Sequence, residues 1–312
     1  MVELDEADIR RMQELAQRVM ALRPELLNGD ATVGELAWCW AKDVDALGRF
    51  WRHRFWFADD RLAAWAWVHL PHPITRGDGT VREVEEANLV WQTDPDRPEL
   101  LHEILDFYDE VAGDADRLLN LQSADDHART TVAEHGYEFD AEEASDNGSW
   151  VQFNSRELTD VPDPVLPEGF RFRTAEDVSP ADAVAAHRAA WPRSGLSEAA
   201  FERVQRTWPY RADLHVLVEA PDGTLAATAI SWLDEATNTA EFEPVGTHQE
   251  FRRQGLSTAL QLHGMRLARA AGASRMLVAC LGAPAHPAAR NLYHGLGFRE
   301  FTRDVPQIKR AR

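Results

Sequence analysis

Arg252-Arg253-Gln254-Gly255-Leu256-Ser257 decides how this chain is read, because it joins a strand-like run (Ala240, Phe242, then Val245) to a strongly helical one, Thr258 to Ala271. A strand, a glycine-bearing turn and a helix start, in that order, predict an anion cradle. The first turn of a helix presents unpaired backbone N–H groups and the positive end of the macrodipole, and glycine lets a phosphate come close to the main chain. A phosphorylated ligand is the expectation from this pattern alone.

Outward from the turn, periodicity predicts strands over 170–174, 214–219, 225–233, 240–247, 275–281 and 298–302, with helices over 180–191, 197–207, 253–271 and 287–296. Gly272 and Gly297 follow the last two helices as C-terminal stops. The fold class this predicts is α/β, an α+β mixed sheet flanked by helices.

Pro162, Pro164 and Pro167 break any regular element between Glu157 and Gly169, and the pattern restarts at Phe170. A chain of 312 residues is long for one core, so two domains of roughly 150 residues each are the default. We read 1–158 as an N-terminal domain, 159–168 as a linker and 169–312 as a C-terminal domain. The halves echo one another. Asp59-Asp60-Arg61-Leu62-Ala63-Ala64-Trp65-Ala66-Trp67 resembles Asp222-Gly223-Thr224-Leu225-Ala226-Ala227-Thr228-Ala229-Ile230, 163 positions later, and His135-Gly136-Tyr137 precedes Leu296-Gly297-Phe298 by 161. Two matches at nearly constant offset predict a duplication.

Thirty-three basic against 52 acidic side chains give a net charge of -19, which argues against nucleic acid and anionic membranes as partners and leans toward cationic or neutral substrates. No apolar run reaches the roughly 20 residues of a membrane span, and the N-terminus is acidic and amphipathic rather than signal-like, so a cytoplasmic location is expected. Cys39 and Cys280 lie far apart without metal-ligand spacing and read as buried free thiols.

Forty positions after the turn stands Leu292-Tyr293-His294-Gly295-Leu296-Gly297-Phe298. R-x-x-G-x-(G/A) and L-Y-x-x-x-G-F, with helix, strand and helix between them, resemble the acetyl-CoA-binding half of the GNAT N-acetyltransferase superfamily over about residues 168–303. Ser257 stands where that family has glycine or alanine, and His286, seven residues before Tyr293, where it often has an asparagine that touches the cofactor. In the first half only the repeat carries the resemblance. Thr93-Asp94-Pro95-Asp96-Arg97-Pro98-Glu99-Leu100 occupies the cradle position without the glycine, and Pro98 removes an N–H that a phosphate would need. The expectation is two tandem GNAT-like domains with a degenerate N-terminal copy, in the architecture that mycothiol synthase represents.

The resemblance implies an acetyl-CoA-dependent N-acyltransferase acting on the amine of a small molecule by direct transfer through a tetrahedral intermediate, without a metal, as a monomer or homodimer. It implies that the main chain of Val245, Gly246 and Thr247 binds the pantetheine arm, and that Arg252, Arg253, Gln254, Gly255, Leu256, Ser257 and Thr258 hold the pyrophosphate, with His286 beside the cofactor. Tyr293 would return a proton to the coenzyme A sulfur, a phenol with pKa near 10 being matched to a thiolate. Glu241 and Glu243 share a strand face by period two, and either could take the amine proton through water. Of the two, Glu241 aligns better with the family's base position. The alternative is a noncatalytic acyl-CoA-binding or interaction protein that keeps the fold.

His248, His263, His286 and His294 fit no metal-ligand spacing and read as surface or turn residues. Trp38, Trp40, Trp51, Trp56, Trp65, Trp67 and Trp91 crowd the first half and read as core, with an exposed subset able to line a cleft between the halves. The acidic runs 83–86 and 140–146 read as solvated loops.

Overall fold

A computed structural model describes residues 3–141, 150–282 and 287–311. The chain enters through two helices. In α1 (Glu6–Leu22) the Asp5 and Asp8 side chains each accept the other's backbone N–H, and Ile9, Met12, Leu15, Ala16, Val19 and Met20 form a buried stripe at helical spacing. The hydroxyl of Thr32 caps α2 (Val33–Leu47). A hairpin follows, β1 (Trp51–Ala58) with β2 (Arg61–His69), and then a small one, β3 (His72–Thr75) with β4 (Val81–Val84). After them come β5 (Ala87–Thr93), α3 (Leu100–Ala112), β6 (Arg117–Gln122), α4 (Asp126–Glu134), β7 (Glu138–Phe139) and β8 (Val151–Glu157). The second half runs β9 (Arg171–Thr174), α5 (Pro180–Ala190), α6 (Glu198–Arg206), the hairpin β10 (His215–Glu219) with β11 (Leu225–Asp234), β12 (Thr239–Thr247), α7 (Leu256–Ala270), β13 (Arg275–Leu281), α8 (Pro287–Gly295) and β14 (Arg299–Lys309).

The same order of hairpin, strand, helix, strand and helix occurs in both halves. β5 pairs parallel with β6 and β12 parallel with β13, while Gly136 (φ 82°) and Gly297 (φ 90°) turn the chain after α4 and α8 in the left-handed region that glycine adopts freely. Pairing unites the halves into one mixed sheet, which among the described residues has 12 strands in the order β1-β2-β5-β6-β14-β8-β13-β12-β11-β10-β9, with β7 beside β14.

Two strands cross the covalent boundary. β8 inserts between β13 and β14 and pairs antiparallel with β13 along its whole length, from Val151↔Leu281 to Glu157↔Arg275. β14 pairs first with β8, through Arg299 to Arg303, and then with β6, through Asp304 to Lys309. Each half thus supplies a strand to the other half's sheet. The segment 159–168 separates the halves in covalent order, and the hydrogen bonding does not follow it. The last strand is also longer than the sequence reading, which ended it at residue 302, because Pro306 and the charges around it mask a run whose Gln307 and Ile308 are buried.

One apolar core spans the junction. Met12, Leu15 and Val19 of α1, Trp38 of α2 and Trp67 of β2 join Phe201, Trp232 and Leu277 of the second half in a single cluster. Gly34 allows that approach, since a Cβ there would lie 2.5 Å from the Trp232 ring. Trp38, Trp40, Trp51, Trp65, Trp67 and Trp91 are all buried. Among the described residues no helix is long and apolar enough to cross a membrane.

Candidate active site

β12 and β13 are hydrogen-bonded only where Thr239 to Phe242 face Arg275 to Val278, and beyond those residues they part. On its other edge β12 slips against β11 at a bulge that leaves Glu243 and Pro244 out of register. The parting opens a cleft of about 520 Å³ lined by Trp191, Glu243, Val245, Cys280, Pro287 and Tyr293, among others.

After Thr247 the chain makes a short turn at Gln249–Phe251 and enters α7 through two left-handed residues, Arg253 (φ 64°) and Gly255 (φ 80°). The helix therefore begins at Leu256 and not at Arg253, because that conformation cannot be part of a right-handed helix. Gly255 caps α7 with no side-chain hydrogen bond, so no capping side chain claims the first-turn amides of Leu256, Ser257 and Thr258, and the space a Cβ at 255 would enter is open. These are the features a phosphate needs. Arg252 is tied to the scaffold: its Nε donates to the Thr247 carbonyl (3.2 Å) and Nη2 to the Ala190 carbonyl (3.3 Å), pinning the turn to the ends of β12 and α5. The Ser257 hydroxyl accepts from Gln261 Nε2 at 3.0 Å.

Tyr293, on α8, is 7 % exposed, meets Phe298 edge-on at 5.8 Å between centroids, and lines the cleft. Burial, with the nearby Glu243 and Cys280, pushes its phenol well above the ordinary range, so it remains protonated at neutral pH. Glu243 lines the same cleft, and burial together with the neighbouring Glu241 raises its carboxyl to about 7. Glu241 lies deeper, 8 % exposed, where burial raises it to about 8 against the opposing hydroxyl of Thr32. The two glutamates thus lie within electrostatic reach of each other in different surroundings, Glu243 in the cleft and Glu241 beneath the first half. Trp191 packs on Gly246, where a Cβ would stand 2.4 Å from its ring, and meets His187 in a tilted contact at 4.6 Å between centroids.

The first half closes the corresponding places with its own atoms. β5 and β6 pair only as far as Leu89↔Leu119, and beyond that Asn28 Nδ2 donates to the Trp91 carbonyl (2.5 Å) while Asn28 N donates to Gln92 Oε1 (2.9 Å). At the turn before α3, Asp94 is 2 % exposed, accepts from the Asp96 amide (3.1 Å) and is bridged by Arg18 (3.3 Å) and Arg61 (3.5 Å). A buried, ion-paired carboxylate thus lies in the turn that leads to α3.

Residues 182–298 match the sequence profile of the Acetyltransferase (GNAT) family. The C-terminal half belongs to the GNAT acetyltransferase superfamily. Nearly the whole chain shares the tandem GNAT fold with solved structures. A GCN5-related N-acetyltransferase from Sphaerobacter thermophilus aligns over 98% of this chain and 94% of its own, at 17% identity and TM-score 0.59. A tandem GNAT protein from the clavulanic acid biosynthesis pathway aligns over 99% and 97%, at 15% identity and TM-score 0.59. A GNAT-family acetyltransferase from Colwellia psychrerythraea aligns over 99% and 97%, at 14% identity and TM-score 0.56. No curated protein matches the sequence.

Within the GNAT frame, the residues named from sequence fall into three places. Glu243, Val245 and Tyr293 line the cleft; Arg252 to Thr258 form the turn and the start of α7; Glu241, on β12, lies beside Met20, Leu27 and Thr32 of the first half. His286 lies outside the described residues. His248 accepts the Glu250 amide at 3.2 Å, His263 stacks on Phe172 at 4.0 Å, and His294 meets Gln152 at 3.2 Å. Sequence reasoning missed Trp191 and Cys280 on the cleft wall, and Asp30, Glu35 and Lys42 of the first half, whose charges act on Glu243 and its neighbours. A signal existed: Glu35, Cys39 and Lys42 recur at helical spacing on α2, interrupting its apolar first turns.

Proposed function

We propose that the chain is a cytoplasmic acetyl-CoA-dependent N-acyltransferase that transfers an acyl group directly to the amine of a small molecule, with its chemistry in the C-terminal half. The observation that carries this reading is the meeting of Tyr293 and Glu243, from different elements, in the cleft where β12 and β13 part ahead of the glycine-capped α7. When bound, acetyl-CoA supplies an activated thioester. The main chain of Val245, Gly246 and Thr247 would hold its pantetheine arm along the edge of β12 that β13 leaves free. The amides of Leu256, Ser257 and Thr258, with Arg253 and Gln254, would hold the pyrophosphate. Each helix-end interaction contributes only about 0.3–1 kcal/mol when exposed, so several donors must act together.

Glu243 accepts the proton of the amine, directly or through water, and a carboxyl raised to about 7 is poised for that at neutral pH. Tyr293, held protonated, donates to the departing sulfur. Glu241 aligns better with the base position in sequence, and its depth supports a secondary part for it, raising Glu243.

Release of coenzyme A thiol from acetyl-CoA in the presence of an amine panel tests this function. Tyr293→Phe is expected to slow release by roughly 10²- to 10⁴-fold, the range of general acid–base contributions, with acetyl-CoA affinity unchanged. Tight acetyl-CoA binding with no thiol release on any amine would overturn the proposal.

A further inference from the structure

Among the described residues that line the cleft, Trp191 alone belongs to neither β12, β13 nor α8. It heads the loop 191–197 that joins α5 to α6, and a loop side chain is placed only as firmly as its loop is held. This loop is held from the other half of the molecule, by the tip of the small hairpin β3–β4. The Gly77 amide donates to the Arg193 carbonyl at 3.0 Å. A Cβ on Gly77 would stand 2.3 Å from the Ser194 carbonyl oxygen, and one on Gly195 would stand 3.3 Å from that of Thr75. Glycine at 77 is demanded by the approach of two backbones.

Hydrogen bonds within the loop carry that hold to Trp191. The Ser194 amide donates to the Trp191 carbonyl (2.9 Å), while the Ser194 hydroxyl accepts from the Leu196 amide (3.3 Å) and meets His187 Nε2 (2.9 Å). The His187 ring touches both Trp191 (4.6 Å) and Trp38 of α2 (5.6 Å between centroids), a second contact with the first half. At the root of the loop the Ala190 carbonyl accepts from Arg252 of the turn into α7. The hairpin lies outside the large sheet, so its tip adds nothing to the ladder that joins the halves. What the tip reaches in the second half is the loop that carries a wall of the cleft.

Resting on the acyltransferase reading above, we propose that the β3–β4 hairpin positions the acceptor wall of the cleft: through Gly77 it fixes residues 192–195, and with them Trp191, against which the carbon skeleton of the amine rests. Glu243, which takes the amine proton in that reading, lines the same cleft as Trp191, so an amine reacting there has the indole for a neighbour. Val245, Ala279, Leu281 and Pro287 continue the wall as apolar surface. An indole offers a broad apolar face, and the acceptor that fits is a primary amine with an apolar body. Gly77 and Ser194 act through Trp191 and are positioning residues; Trp191 determines specificity.

The test compares the full chain with Gly77→Val, Trp191→Ala and the double variant, by steady-state thiol release from acetyl-CoA with 2-phenylethylamine or ethanolamine and by hydrogen exchange of the amides at 194 and 196. Gly77→Val is expected to quicken that exchange and to raise KM for 2-phenylethylamine by about tenfold to a hundredfold, the cost of a small misplacement, with kcat, acetyl-CoA affinity and the KM for ethanolamine near native values. In the Trp191→Ala background it should add nothing further, a coupling that general destabilisation would not produce. Should Gly77→Val not fold, Ser194→Ala loosens the loop from within and is expected to shift KM in the same direction. Unchanged exchange, equal losses on both amines, or effects of Gly77→Val and Trp191→Ala that simply add overturn the positioning role and leave the reaction standing. Quickened exchange with no thiol release on either amine or any other overturns the reaction and leaves the hairpin's hold on the loop.

Discussion

Glu241 and Glu243 sit two positions apart and differ in what surrounds them. Glu243, raised to about 7 in the cleft, must be ionised to accept a proton. Below that pH it is protonated and cannot act, so activity should rise with pH through about 7. A kcat/KM profile should show this acidic limb, and Glu243→Gln should abolish it along with most of the rate. Glu241 bears on stability. Its folded-state pKa of about 8 lies above its ordinary 4.5, so the folded protein holds this proton more tightly than the unfolded chain does. Its contribution is fully present below about pH 4.5 and is lost as pH rises through about 8. Thermal unfolding across that window should show Tm falling with pH, and Glu241→Gln should flatten the fall. Asp304, also raised to about 8, should keep part of the slope. The distinction between the two glutamates was not legible in sequence. Period two put both on one face, and only the bulge at 243–244 shows why their surroundings differ.

At the scale of elements, the turn into α7 was the most legible part of the chain. Glycine at 255 is demanded by a local backbone conformation, and local demands leave local marks. Gly255→Val should lower acetyl-CoA affinity by at least about tenfold in calorimetry, because a β-branched residue disfavours φ near 80° and its side chain would fill the open space above the first-turn amides. Unchanged affinity would remove the cradle assignment. The recurring hairpin and the strands on either side of α7 were also readable, since alternation and stop residues mark them, whereas the parallel direction of their pairing was not read. The far end of β14 was not. Residues 304–309 carry charges and a proline, and what makes them a strand is a partner, β6, nearly two hundred positions earlier. Pairing over that distance leaves no pattern in the strand itself. Asp30, Glu35 and Lys42 were missed for the same reason: the partners that give them meaning are on β12, in the other half.

For the whole molecule, the exchange of β8 and β14 makes the halves mutually dependent. Each sheet contains backbone donated by the other half, and Trp38, Trp67 and Trp232 share one core across the boundary. Cutting the chain within 159–168 should therefore leave two fragments that co-purify and unfold in a single transition by calorimetry. Two separable transitions would mean that the junction contributes little. Removing residues 304–312 should destabilise the N-terminal half first, detectable as faster hydrogen exchange in β6, although the deletion lies at the opposite end of the chain.

The continuity of the sheet also governs how anything gets in. A crevice between two lobes commonly opens by a hinge swing, which needs a boundary where few bonds cross. Here β14 is stitched to β8 on one side of the boundary and to β6 on the other, so a swing would unzip a backbone ladder. The aperture of the cleft beside Trp191 is therefore set by the main chain rather than by a hinge.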